Sequence, residues 1–157
     1  MTGVAVTNST CLISLDRIGA IDLLRRVFDE VLVPPAVVQE VGTTPAWMIV
    51  RAVANAVWER ALGCNLGPGE SAAIGLAAEH PAAEVVLDDL KARRFAARVG
   101  LRIVGTPGVV LRAKRLGAIP TVMPLLLDLR SRGFHMSDEL FSRCLMLAGE
   151  SIDAPSA

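Results

Sequence analysis

The sequence predicts an α/β fold built on a parallel sheet covered by helices on both faces. Three observations predict it. Short apolar runs recur and end at polar residues, as in Val85-Val86-Leu87-Asp88-Asp89, the pattern of strands buried on both faces. Stretches with helical apolar spacing lie between these runs, as in Ala92, Phe95, Ala96 and Val99. The two kinds of segment alternate along the chain, which implies crossover units and a parallel sheet.

In order, Val4 to Thr7 reads as a first buried strand, ending at the polar cluster Asn8-Ser9-Thr10. A short helical piece follows at Cys11 to Leu15. Ile18 to Phe28 is expected to be helical, with Ile21, Leu24 and Phe28 on one face. Val31 to Val33 is a second strand, stopped by Pro34-Pro35, and proline at a first helical position then opens Ala36 to Val41. Gly42 to Pro45 breaks the chain. Trp47 to Leu62 is Ala/Val-rich and predicts a helix, with Trp47 and Trp58 as packing or interface residues. A Gly/Pro loop at 63–69 precedes a small-residue helix from Glu70 to Ala78, ended by Pro81. After the Val85 strand come a helix from Leu90 ended by Gly100, a strand over Leu101 to Val104, and a helix opening at Pro107 and closing at Gly117. Val122, Leu125, Leu126 and Leu129 predict a further helix. Ser137 then reads as the N-cap of a last one, with Asp138 and Glu139 in its first turn. At least four strands are readable. The chain of 157 residues is expected to form one domain over 1–150, with a flexible tail at 151–157.

The composition narrows the class. Hydrophobic residues make up 52% and mean hydropathy is +0.48, enough for a large core and a buried partner surface. The uncharged run Leu116 to Leu127 is 12 residues long and holds Pro120 and Pro124, short of the ~20 a membrane span needs. No basic stretch precedes the apolar residues of the amino terminus, so a secretory signal is not expected and the protein is placed in the cytoplasm. Cys11, Cys64 and Cys144 are odd in number and widely spaced, which points to free buried thiols rather than disulfides or zinc.

Charge is uneven. Residues 1–89 carry five basic and eleven acidic side chains; residues 90–157 carry eleven basic and five acidic. From Leu90 to Leu127 eight basic residues occur with no acidic one. A basic stretch beside an acidic site suits a polyanion held next to a metal cluster, with Arg93 and Arg94 nearest the acids as RNA-binding candidates. Ordinary solvated helix faces would give the same run. With no Tyr and 4% aromatics, base stacking on an aromatic platform is not the expected binding mode.

In a parallel sheet all carboxyl ends share one edge, where open α/β folds place their ligands. Asn8 and Asp88 both follow strands and can converge there; Glu40 and Glu70 lie on helices that can approach. Asp and Glu without His or Cys suit a hard cation, Mg²⁺ or Mn²⁺, which activates water and neutralises phosphate charge. Each acid also has a plain structural role open to it. The Asp88-Asp89 pair would cap the helix at Leu90, Glu40 could face water, and Glu70 would favour a helix dipole. His80 and His135 are lone and carry no assigned role.

Five segments together resemble a family. They are Val6 to Ile13, Val33 to Glu40, Gly69 to Ala77, Leu87 to Arg93 and Gly105 to Lys114. In this order over residues 4–145 the chain resembles the PIN-like domains of toxin–antitoxin systems, the VapC-type ribonucleases and their close relatives of undefined function. The resemblance implies a three-layer α/β/α sandwich and a Mg²⁺- or Mn²⁺-dependent endoribonuclease. It also implies a protein antitoxin partner and a homodimer. Glu40, Glu70 and Asp88 match the family acids, Asp89 adjoins them, and Thr106 matches a small polar position near the site. Asn8 departs from the family, which has Asp there. An amide oxygen can still coordinate a metal, but without charge, so attraction for the ion falls. Two explanations fit: a natural protein with reduced activity, or an isosteric inactivation.

Two other readings remain. One is a non-catalytic PIN-like module that binds RNA or protein. The other is an Asp-dependent phosphotransfer fold, which needs a nucleophilic Asp after a strand and a nearby lysine. Asn8 occupies the best nucleophile position, and Lys91 and Lys114 are the only lysines.

Overall fold

A computed structural model describes residues 3–62 and 65–153. The Trp58 side chain, Cys64 and tail residues 154–157 lie outside the described residues. The chain runs β1 (Val4–Thr7), α1 (Ser9–Arg17), α2 (Leu23–Val27), β2 (Glu30–Val33), α3 (Pro35–Val41), β3 (Ile49–Val50) and α4 (Ala56–Leu62). It continues through α5 (Pro68–Glu79), β4 (Glu84–Val86), α6 (Leu90–Arg98), β5 (Arg102–Val104), α7 (Thr106–Arg115), α8 (Met123–Ser131) and α9 (Asp138–Leu147).

The strands form one sheet in the order β3-β2-β1-β4-β5, and every pairing is parallel. Strand residues alternate between two cores, as a period of two requires. Ala5, Val31, Val33, Val86 and Val104 face a larger core that includes Leu12, Leu24, Val109, Leu126 and Phe141 from α1, α2, α7, α8 and α9. Val6, Leu32, Val85 and Leu87 face a smaller core under α5 and α6, with Ile74, Leu76, Ala92 and Ala96. The result is the three-layer α/β/α arrangement. The small buried residues Ala72, Ala73, Gly75 and Ala77 of α5 let its backbone approach β1 and β4 closely.

Two expectations need correction. The segment from Trp47 is not helical throughout. Ile49 and Val50 pair in parallel with Leu32 and Val33, and a helix begins only at Ala56. β2 offers an unpaired edge, and two adjacent β-branched residues suit it better than a helix. The stretch from Ile18 to Phe28 is likewise broken. Gly19 adopts φ +68°, which ends α1, and only Leu23–Val27 is helical. Phe28 is extended but fully buried, so its burial was readable while its conformation was not. Cys11 and Cys144 are buried free thiols. Trp47 packs partly buried against the larger core, with the Arg25 guanidinium 5.6 Å from its ring.

Polar clamps hold the sheet and the carboxyl-terminal helices in place. Glu84 opens β4 and receives two hydrogen bonds from Arg112 of α7, at 2.7 and 2.9 Å. Arg112 also lies 5.3 Å from the Phe28 ring. Glu150 accepts from Lys114 at 2.8 Å and from the backbone N–H groups of Val122 and Met123 at 2.7 and 3.1 Å, which caps the start of α8. Among the described residues no helix is long and apolar enough to cross a membrane.

The Arg112 hydrogen bonds hold the Glu84 carboxyl below its ordinary value of 4.5, against the upward push of burial. A depressed carboxyl stabilises the fold above the unfolded value and loses that stabilisation as pH falls through the folded one. Glu84→Gln is therefore expected to cost about 1–2 kcal/mol at neutral pH. Chemical denaturation should show this difference shrinking as pH drops below 4.5.

Candidate active site

The strand order reverses direction between β1 and β4, which makes their carboxyl ends the switch point of the sheet. Thr7 and Val86 are register partners there, so Asn8 and Asp88 emerge side by side. Asn8 is 2% exposed. Its Oδ1 accepts from the Cys11 N–H at 3.4 Å as the N-cap of α1. The following residue, Ser9, donates its hydroxyl to Glu40 Oε2.

Glu40 reaches from α3 to the start of α5, where its Oε1 accepts from the Gly69 N–H at 2.9 Å. A Cβ at residue 69 would stand 2.6 Å from that oxygen. Glycine is required there because backbone and carboxylate meet directly. One side chain thus joins three helices.

Asp88 is held by a single residue of the next unit. Its Oδ1 accepts from the Thr106 N–H at 2.7 Å and its Oδ2 from the Thr106 hydroxyl at 2.6 Å. Thr106 is fully buried in the first turn of α7, whose dipole favours the negative charge. Burial nevertheless raises the Asp88 pKa, against the pull of the Thr106 hydrogen bonds and of Arg93. Gly105 leaves room for this arrangement: a Cβ there would stand 3.0 Å from Arg93 Nη1 and 3.2 Å from Asp88 Oδ1. Cys11 lies beneath. Burial first, and then the Asp88 charge, push its thiol up to about 12, against hydrogen bonds with Thr106 and Thr7. It is therefore an un-ionised packing group.

Asp89 caps α6, accepting from the Ala92 N–H at 2.9 Å. Glu70 Oε2 is buried and has no hydrogen-bond partner among the described residues. Burial, followed by the negative charges of Asp89 and Glu40, raises the Glu70 pKa, and Lys91 opposes the shift. Crowded carboxylates with an orphaned oxygen are an environment that a hard cation relieves. Asp88 and Glu40 accept one protein hydrogen bond on each oxygen and keep a lone pair on each for another partner. The donor chemistry therefore suits Mg²⁺ or Mn²⁺. Among the described residues no three His, Cys, Asp or Glu side chains converge closely enough to hold a metal ion by themselves.

Both candidate arginines sit near the acids but differ in exposure. Arg93 is half-buried and donates to the Leu87 carbonyl at 2.8 Å, bracing the turn that carries Asp88. Arg94 is exposed and lines a cleft beside Asp89. Sequence reasoning missed several groups. Ser9 positions Glu40. Thr10, Ser14 and Arg17 line a cleft of about 700 Å³ together with Asp88, Asp89 and His135. The polar spacing i, i+4, i+7 along α1 was the available signal for the first three; nothing local marks His135.

A family model matches this chain over residues 4–150, DUF3368, a PIN domain. No curated protein matches it.

A carboxyl with a raised pKa favours the fold while protonated and loses that contribution as pH rises through the raised value. Ionised Glu70 is thus a burden at neutral pH that is absent in acid. Glu70→Gln is expected to unfold at higher temperature than the parent at neutral pH, with a gain of no more than about 1 kcal/mol because solvent screens the site. The gain should vanish below pH 4.5, the ordinary glutamate value. Thermal melts across pH check this; a variant less stable than the parent at neutral pH would contradict it.

Proposed function

Because the chain belongs to the PIN-domain family, a family of nuclease-type domains, we propose that it is a metal-dependent endoribonuclease. Its place would be as the toxin of a cytoplasmic toxin–antitoxin pair, with activity reduced by Asn8. The observation that carries this reading is that Asp88 emerges beside Asn8 at the carboxyl ends of β1 and β4, while Glu70 feels the negative charges of Asp89 and Glu40. Asn8, Glu40, Glu70 and Asp88 would hold the ion, with Asp89 beside them. The chemistry supplied by a bound Mg²⁺ or Mn²⁺ is activation of water and neutralisation of phosphate charge. The chain's own residues do the rest. Thr106 fixes both oxygens of Asp88, Ser9 and Gly69 fix Glu40, and the unpartnered oxygen of Glu70 stays open to accept. Asn8 supplies a neutral oxygen where a carboxylate would add charge, and so lowers both ion affinity and catalysis.

The exposed apolar residues Leu127, Leu140, Met146 and Leu147 on α8 and α9 support a protein partner. An antitoxin or a second copy of the chain would cover them.

One observation favours a second reading. The Asn8 amide is buried and used as a helix cap, as suits a PIN module that binds RNA or protein without cutting. Parallel RNA digests with Mn²⁺ and with EDTA separate the two. The Asn8→Asp variant is expected to cleave with Mn²⁺ only, at least about tenfold faster than the parent chain, and Asp88→Ala in that background should abolish cleavage. Intact RNA from the Asn8→Asp variant across several substrates would replace the nuclease with the binding module.

A further inference from the structure

Beside the carboxylates lies a second cleft, of about 690 Å³, along the outer face of α6. Lys91, Arg94 and Arg98 line it at i, i+3 and i+7, which places them on one side of the helix. All three are exposed, and none makes a hydrogen bond or ion pair among the described residues. The charges of Arg94 and Arg98 are available to a ligand, and that of Lys91 also acts on Glu70. Leu66 and Phe95 give the same cleft an apolar floor, and among the described residues its only acid is Asp89. Asp89 and Leu90 also form a wall of the 700 Å³ cleft that holds Arg17 and His135. The two clefts therefore share a rim at Asp89 and Leu90, next to Asp88.

We propose that single-stranded RNA lies in one continuous track across Asp89. Lys91, Arg94 and Arg98 hold its phosphates on one side of the scissile position, and Arg17 and His135 hold them on the other. This rests on the nuclease reading for where the strand is cut, but not for how it is held. Cations beside an apolar floor match a strand whose bases are unstacked and free to contact Leu66 and Phe95; a duplex hides its base faces. Arg94 and Arg98 are the gripping pair, because the Arg93 guanidinium is turned inward onto Leu87. Three phosphate contacts on α6 predict that log affinity falls with log salt at a slope of about −2 from this side alone.

The test is fluorescence anisotropy of a labelled oligouridine of about twelve nucleotides, read in EDTA so that binding is separate from cleavage. The parent chain is expected to bind it. Arg94→Glu with Arg98→Glu should weaken binding by at least about tenfold and flatten the salt slope. A milder pair, Arg94→Gln with Arg98→Gln, should fall between. A charge-matched control, Arg26→Glu with Arg115→Glu, lies outside both clefts and should lose less than the α6 pair. Equal loss in the control would mean only net charge matters and would overturn the track. So would unchanged binding in both α6 pairs, no binding by the parent, or equal affinity for a duplex of the same length. If the α6 pairs lose binding while the Asn8→Asp variant cuts nothing, the track stands and the nuclease reading falls.

Discussion

A half-buried carboxylate must be satisfied or the fold carries its cost. Asp88 meets that demand through two hydrogen bonds from Thr106, one from the backbone N–H and one from the hydroxyl, with the Arg93 charge nearby. This pairing is the constraint on which the rest of the site depends. Asp88 stands past the end of β4 and Thr106 past the end of β5, so their contact fixes the spacing of two neighbouring strand ends. Thr106 also opens α7, so the same contact sets where that helix starts over the larger core. Arg93 braces the turn from behind through the Leu87 carbonyl. Cys11 is fully buried nearby, its thiol under the influence of the Asp88 charge and of Thr106.

Glu40 has the matching role on the other side of the site. It links α3 to α1 through Ser9 and to α5 through Gly69. The two carboxylates that bridge elements are thereby oriented by protein donors before any ligand arrives. That is what preorganisation requires of a catalytic or binding centre. Glu70 differs: it is crowded by like charge and left with an open oxygen. Two tethered carboxylates and one with an open oxygen offer oxygen donors of the kind a hard cation takes. Asn8 reduces its total charge without disturbing the helix cap that an aspartate could equally provide.

The charge asymmetry of the chain has a spatial meaning. The acidic residues belong mostly to the first half, and Asp88 and Asp89 follow β4 at the switch point. The basic second half begins with α6, whose Asp89 cap adjoins the same switch point. Opposite charges far apart in the sequence average therefore become an acidic centre flanked by a cationic groove. Such a groove attracts polyanions along the flank.

The sequence by itself determined the α/β class, the parallel sheet, and most elements, because periods of two and 3.6 and the Pro and Gly stops are local properties. It also marked Asn8, Glu40, Glu70 and Asp88, since polar and acidic groups at strand and helix ends stand out against an apolar chain, while Thr106 was marked only through the family resemblance. It did not reveal β3. Two residues cannot display a period, and Ile49 and Val50 become a strand only because the edge of β2 is open. Nor did it reveal the separate fates of Arg93 and Arg94, neighbours in sequence that α6 turns to different surroundings. The place of His135 at the rim was equally hidden. Tertiary structure decided these points, because strand pairing, side-chain burial and cleft walls arise from segments far apart in the chain, and no local window contains both partners.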